Sequence, residues 1–158
     1  MDSWKIAKEL EERYPTPSLH LNDPIVARFR EIPIVKPILA HLVPKVPRNL
    51  LNKISADYFY LTREERYKMP LDQLEREKAK EENWEEMKSV AKNIGDLLRE
   101  KEGPFLLGET LSYADIVFVT YLQFMKRVDE SVFQRYLELD PTFPRIYEAS
   151  KQWLARED

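Results

Sequence analysis

The feature that most constrains this chain is a strong helix start followed by a run with almost no polar face. Ser112 and Asp115 have the spacing of a capping box, with Asp in place of the usual Glu or Gln, and Leu111 with Ile116 occupies the positions of a hydrophobic staple. Beyond the cap, Ile116, Val117, Phe118, Val119, Tyr121, Leu122, Phe124 and Met125 leave little surface for water. A helix of this kind is expected at the centre of a domain, surrounded by other helices. Its free amides are then out of reach of solvent, so Ser112 and Asp115 are read as structural caps, each worth about 0.5–2 kcal/mol.

The rest of the chain supplies helices and no sheet. There are three glycines and eleven prolines, and no stretch of apolar and polar alternation between turn signals, so the period of a strand is missing. The expected fold class is all-α. A first amphipathic helix is expected over residues 3–14, with Trp4, Ile6, Ala7, Leu10 and Tyr14 on one stripe, ending at Pro15 and Pro17. Asp23-Pro24 opens a second. Pro33, Pro37, Pro44 and Pro47 then predict a series of short helical pieces, because each removes an amide donor and restricts the residue before it. A helical pattern resumes over 48–67 with Leu51, Ile54, Tyr58 and Leu61. Another is expected over 71–101, packing Trp84, Met87, Ala91, Ile94 and Leu98 on a core and ending at Gly103. Gly95, inside that helix, is read as the place where a neighbouring helix comes close.

Composition narrows the function. A chain of 158 residues with 43% hydrophobic and 34% charged residues is expected to form one folded unit. Its net charge is -3, with 25 basic residues interleaved among 28 acidic ones, so no single-sign field is available for a phosphate backbone and nucleic acid is not an expected partner. Without cysteine there is no disulfide, thiolate nucleophile or cysteine-bound metal, and His20 and His41 lack a ligand spacing. No metal site is expected. The opening residues do not form a leader and the apolar run 116–125 is too short for a bilayer, so a cytoplasmic protein without a membrane partner is expected.

The run GPFLLGETLSYADI over residues 103–116 resembles the core motif of the glutathione transferase C-terminal domain. YLTREERYKMPLDQL over 60–74 is similar to a stretch of fungal transferases and of bacterial aryl-ether-cleaving relatives, and FPRIYEASKQWL over 143–154 to the last helix of that family. The resemblance covers almost the whole chain and implies a glutathione transferase C-terminal-like helical bundle over residues 18–158. Asp2-Ser3-Trp4-Lys5-Ile6 resembles the [EDQ]-S-x-x-I opening of the last helix of the family's thioredoxin-like domain, which implies that residues 1–17 are a remnant of that domain. In the family this acid and serine hold the gamma-glutamyl end of glutathione, so Asp2 and Ser3 are the candidate cofactor-binding residues. An N-cap at the chain start is their structural alternative. The family's thiol-activating Ser, Tyr or Cys has no counterpart in this sequence, and an unactivated thiol is a poor nucleophile. Ordinary conjugating activity is therefore not expected.

The resemblance also places a co-substrate pocket against the helices at 48–67 and 112–128. On these lie Tyr58, Phe59, Tyr60, Arg63, Arg66 and Tyr67, and Tyr121 with Phe124. Aromatic side chains with one or two arginines suit a flat, partly anionic or carbonyl-bearing molecule, while core packing and a solvated ion-pair surface are their structural alternatives. His41 is a candidate general base. Three functions follow as expectations: binding of a small hydrophobic or aromatic molecule, docking on another protein, or a glutathione-independent isomerase or cyclase of fungal secondary metabolism. A homodimer is expected, formed through the first helix and through Ile25, Val26 and Phe29.

Overall fold

The computed structural model describes residues 3–154, and they form a bundle of helices with no strand among them. The sequence reaches this architecture through local signals that act in order. Helix α1 covers Ser3–Arg13, and α2 covers Pro24–Arg30, where the Asp23 carboxylate accepts the Ile25 amide at 2.8 Å. The prolines that follow break the chain into single turns: a 3-10 turn Lys36–Ile38, α3 Leu39–Leu42, a second 3-10 turn Val43–Lys45 and α4 Val46–Asn49.

Two segments expected to be continuous are divided. The 48–67 segment breaks before Asn52, whose side chain accepts the Ser55 amide at 3.0 Å and starts α5, Lys53–Tyr67. That helix ends at Lys68 in the left-handed region, φ 57°. The 71–101 segment divides at Ala79 into α6 (Leu71–Lys78) and α7 (Glu81–Leu98). Asn83 provides the local cause, since its side-chain oxygen accepts the Lys80 amide at 2.8 Å and begins a new helix. The remaining helices are α8 (Tyr113–Val128), α9 (Glu130–Leu137), α10 (Thr142–Ala149) and α11 (Lys151–Leu154). None in the described residues is long and apolar enough to cross a membrane.

The core lies between α2, α7, α8 and α10. Trp84, Met87, Ala91 and Ile94 enter it from α7, and Phe118, Leu122 and Met125 from α8. Phe118 is its hub, meeting Phe29 at 5.9 Å and Phe143 at 5.0 Å in edge-on contacts, while Tyr136 stacks on Phe143 at 5.4 Å. Each such pair adds about 0.5–1.5 kcal/mol to area burial. Tyr136 is fully buried, its hydroxyl donates to the Ile34 carbonyl at 2.9 Å, and burial pushes its ionisation far above the ordinary range. Gly95 is a close-approach site, but the Asp140 carboxylate, from the α9–α10 connection, fills the space where a Cβ would stand. No helix takes that position.

The expectation that Ile25, Val26 and Phe29 offer a contact for a second copy is corrected. They are 4%, 0% and 2% exposed, facing inward beneath α8. The first helix folds back on its own bundle, burying Ala7 and setting Trp4 edge-on to Tyr113 at 5.4 Å. Its return loop is held by Glu11, which accepts the Ser18 hydroxyl at 2.5 Å and the Leu19 amide at 2.6 Å, and by the Tyr113 amide on the Leu19 carbonyl at 2.9 Å. The outer face of α1 leaves Ile6, Leu10 and Tyr14 exposed.

Candidate ligand-binding cleft

The start of α8 is the most heavily hydrogen-bonded place in the core. Asp115 accepts the Ser112 amide at 2.8 Å and the Ser112 hydroxyl at 2.6 Å through one oxygen, and the Leu106 amide at 2.8 Å through the other. The Ser112 oxygen faces the Asp115 amide in return. Both residues are fully buried. Burial raises the Asp115 carboxyl above its ordinary range, against the three donors that favour its charged form. The Leu106 amide reaches it because the chain folds into a tight loop, with Gly103 at φ 134° and Gly108 at φ 78° and paired main-chain bonds between Phe105 and Gly108. At Gly108 a side chain would stand 2.7 Å from the Glu102 carbonyl, so glycine is required there. Each side-chain oxygen of Ser112 and Asp115 is thus engaged in holding the fold.

Beside this start, α1, the end of α2 and one flank of α8 enclose a cleft of about 270 Å³. Phe29, Ile32, Ile34 and Val117 provide its apolar lining. Its polar lining comes from Ser3, Arg30, Tyr113 and Tyr121, with the Trp4 indole between them. Tyr113, Val117 and Tyr121 stand four residues apart on α8, so they form one line along it. The Tyr113 hydroxyl donates to the Ser3 hydroxyl at 3.3 Å, and the Arg30 guanidinium lies 3.6 Å from the centre of the Trp4 ring. This flank of α8 is open to solvent, with Tyr121 36% exposed, so the helix is central without being enclosed all round.

Of the residues expected in a pocket, Tyr121 and Ser3 line this cleft. Asp2 lies outside the described residues. Phe124 lines a different depression with Leu50, Gln123 and Arg127. On α5, Tyr58 and Arg66 are exposed, Tyr60, Arg63 and Tyr67 are half-buried, and the Arg63 guanidinium lies 4.8 Å from the Phe59 ring centre. None of these five lines the cleft with Tyr121. His41 sits at 3.2 Å from the Lys80 carbonyl and against the Trp84 ring, away from the cleft. Trp4, Arg30 and Tyr113 are not among the expected pocket residues; the four-residue spacing of Tyr113, Val117 and Tyr121 is the one sequence signal from which part of this lining could be read. A second cleft of about 320 Å³ runs between α8 and α11, lined by Leu111, Ile116, Val119, Trp153 and Leu154. Among the described residues no group of His, Asp or Glu has the arrangement of a metal site.

Against known proteins, residues 25–153 match the family model described as glutathione S-transferase, C-terminal domain. The glutathione S-transferase-like protein ustS of Aspergillus flavus is 30% identical over 98% of this chain, which spans 60% of that relative's length. The fold is similar to that of glutathione transferase GSTFuA2 from Phanerochaete chrysosporium, with a TM-score of 0.79 and 22% identity over 99% of this chain and 66% of the other. It is also similar to CsGST63524 of Ceriporiopsis subvermispora, solved in complex with glutathione, with a TM-score of 0.77 and 23% identity over 99% of this chain and 67% of that one.

Proposed function

Because the chain belongs to the glutathione S-transferase family through that family's C-terminal helical domain, we propose that it binds a small hydrophobic or aromatic molecule in the cleft between α1 and α8. The observation that carries this reading is the cleft itself, an apolar floor from Phe29, Ile34 and Val117 beneath the rings of Trp4, Tyr113 and Tyr121. Ligand sites are commonly concave and mostly apolar, with a few polar groups that set orientation.

We propose further that the described chain does not by itself conjugate glutathione. Related structures hold glutathione, and Ser3 is the described group here that resembles a family contact to it. Its hydroxyl already accepts a hydrogen bond from Tyr113, and a thiol that nothing activates is a poor nucleophile. The expected outcome with glutathione and 1-chloro-2,4-dinitrobenzene is the uncatalysed rate. A faster rate that Ser3→Ala removes would overturn this part. Binding is tested with 2-naphthamide, a neutral fused-ring probe, by quenching of tryptophan fluorescence. Loss of the quenching signal in Trp4→Phe and loss of binding in Val117→Trp are expected, and binding that survives the filled cleft would refute the assignment.

A second reading, self-association, is favoured by a separate observation. On α5, Ile54, Tyr58 and Leu61 are 84%, 69% and 70% exposed, and their spacing puts them on one side of the helix. An aligned stripe of this kind is suited to a two-fold contact between copies. The homodimer is therefore proposed through α5.

A further inference from the structure

We propose that the cleft selects an aromatic molecule bearing a carboxylate, and that Arg30 is the residue that recognises the anion. This rests on the cleft being the ligand site. Among the described residues the walls carry one cation and no acid: Arg30 is charged and no described lining residue is Asp or Glu. That is a selective arrangement in a chain with 28 acidic residues and a net charge of -3. A second positive charge stands nearby, the Lys8 ammonium, 5.5 Å from the Trp4 ring centre.

Arg30 differs from most of its neighbours in how it is held. Arg28, two residues earlier on the same helix, is tied to Glu100 through both terminal nitrogens, Arg99 to Asp140 and Asp96, and Arg135 to Glu81. Arg30 has no ion pair or hydrogen bond among the described residues; what holds it is the Trp4 ring, at 3.6 Å. At that separation the guanidinium rests on the ring in van der Waals contact, which fixes its position and leaves its N–H donors unspent. A planar fork of donors at the edge of an aromatic cleft matches a carboxylate, which it can bind through two parallel bonds. A volume of about 270 Å³ accommodates one ring or two fused rings on the apolar floor. The carboxylate then projects toward Arg30 at the mouth.

The test is a matched pair of probes, 2-naphthoate and 2-naphthamide, titrated by calorimetry against the full chain. Naphthoate is expected to bind about tenfold or more tightly than the amide, the range for a hydrogen bond to a charged group. Arg30→Gln is expected to weaken naphthoate about tenfold or more beyond any change in the amide, so that the two probes bind alike, with Arg30→Lys recovering part of the difference. In the wild type, naphthoate affinity should fall with added salt and amide affinity should not, a readout that stands even if a variant misfolds. Equal affinity of the two probes, or equal weakening of both in Arg30→Gln, would overturn the proposal. If the amide binds and Val117→Trp abolishes it while naphthoate shows no advantage, the cleft reading survives and this inference falls. If neither probe binds the wild type, both fall.

Discussion

Helices α5 and α8 have similar vocabularies and opposite fates. Both carry Tyr, Phe and Leu at helical spacing, yet α8 buries seven residues, Phe118 and Leu122 among them, and α5 buries none. Periodicity states that a helix has an apolar face. What covers that face is decided by the elements around it, and α8 has α2, α4, α9 and α10 while the outer side of α5 has only solvent among the described residues. The difference also separates two uses of polar groups. At the start of α8 each side-chain oxygen of Ser112 and Asp115 is engaged in holding the fold, whereas on α5 charged pairs such as Lys53 with Asp57 are exposed and worth little.

The largest effect is expected where α8 begins. Asp115→Ala removes the acceptor for the Leu106 amide, the Ser112 amide and the Ser112 hydroxyl, and leaves buried donors without partners. A loss of roughly 2–4 kcal/mol in unfolding free energy is expected, since each orphaned buried group costs about 1–3 kcal/mol. Urea unfolding followed by far-ultraviolet circular dichroism measures it, and an unchanged midpoint would mean that α8 does not depend on this cap.

An intermediate effect, with a pH signature, is expected at the far end of α8. Asp129 caps α9, accepting the Ser131 amide at 2.8 Å and the Val132 amide at 3.1 Å, and pairs with Lys45 at 2.6 Å. Partial burial works to raise its pKa, but Lys45, Ser131 and the Val132 amide together outweigh it and hold the carboxyl well below its ordinary 3.8. The folded state therefore binds this proton less readily than the unfolded state. Its contribution is complete above about pH 5 and is lost as pH falls through and below 3.8 toward the folded value. Asp129→Asn should cost about 1–2 kcal/mol near pH 7, progressively less below pH 4. Equal loss at pH 7 and pH 2.5 would show that the charge plays no part.

What the sequence made legible follows the range of each interaction. The all-α class, the short pieces between Pro24 and Pro47 and the Ser112–Asp115 cap are local: proline geometry and a three-residue spacing state them directly. The Leu106 amide on Asp115 was hidden, because it arrives through a loop whose path depends on positive φ at Gly103 and Gly108. Splitting of 71–101 was hidden behind charged residues that suit a helix interior, although Asn83 carried the signal for a new start. The cleft was the least legible part. Its walls come from residues 3–4, 29–34 and 113–121, and only packing of α1 back onto α8 brings them together. Arg63 and Arg66 neighbour aromatic residues in sequence, whereas Arg30 meets the Trp4 ring only in space.

The smallest effect on stability, and the sharpest test of the contrast between the two helices, is expected on α5. Tyr58→Ser combined with Leu61→Ser removes two side chains that are 69% and 70% exposed, so little area is uncovered and no cavity forms. Surface changes of this kind stay within about 0.5 kcal/mol each. Association should respond far more. In an antiparallel contact about a two-fold axis, Ile54 of one copy meets Leu61 of the other and the two Tyr58 rings meet near the axis, so each substitution is felt twice. Sedimentation velocity across nanomolar to micromolar concentrations is expected to show a concentration-dependent dimer for the wild type and a monomer for the double variant, with the same thermal midpoint when both are measured as monomers. A wild type that remains monomeric throughout would refute the homodimer. A double variant that dimerises like the wild type would move the interface to the outer face of α1, where Ile6, Leu10 and Tyr14 form the other exposed apolar row.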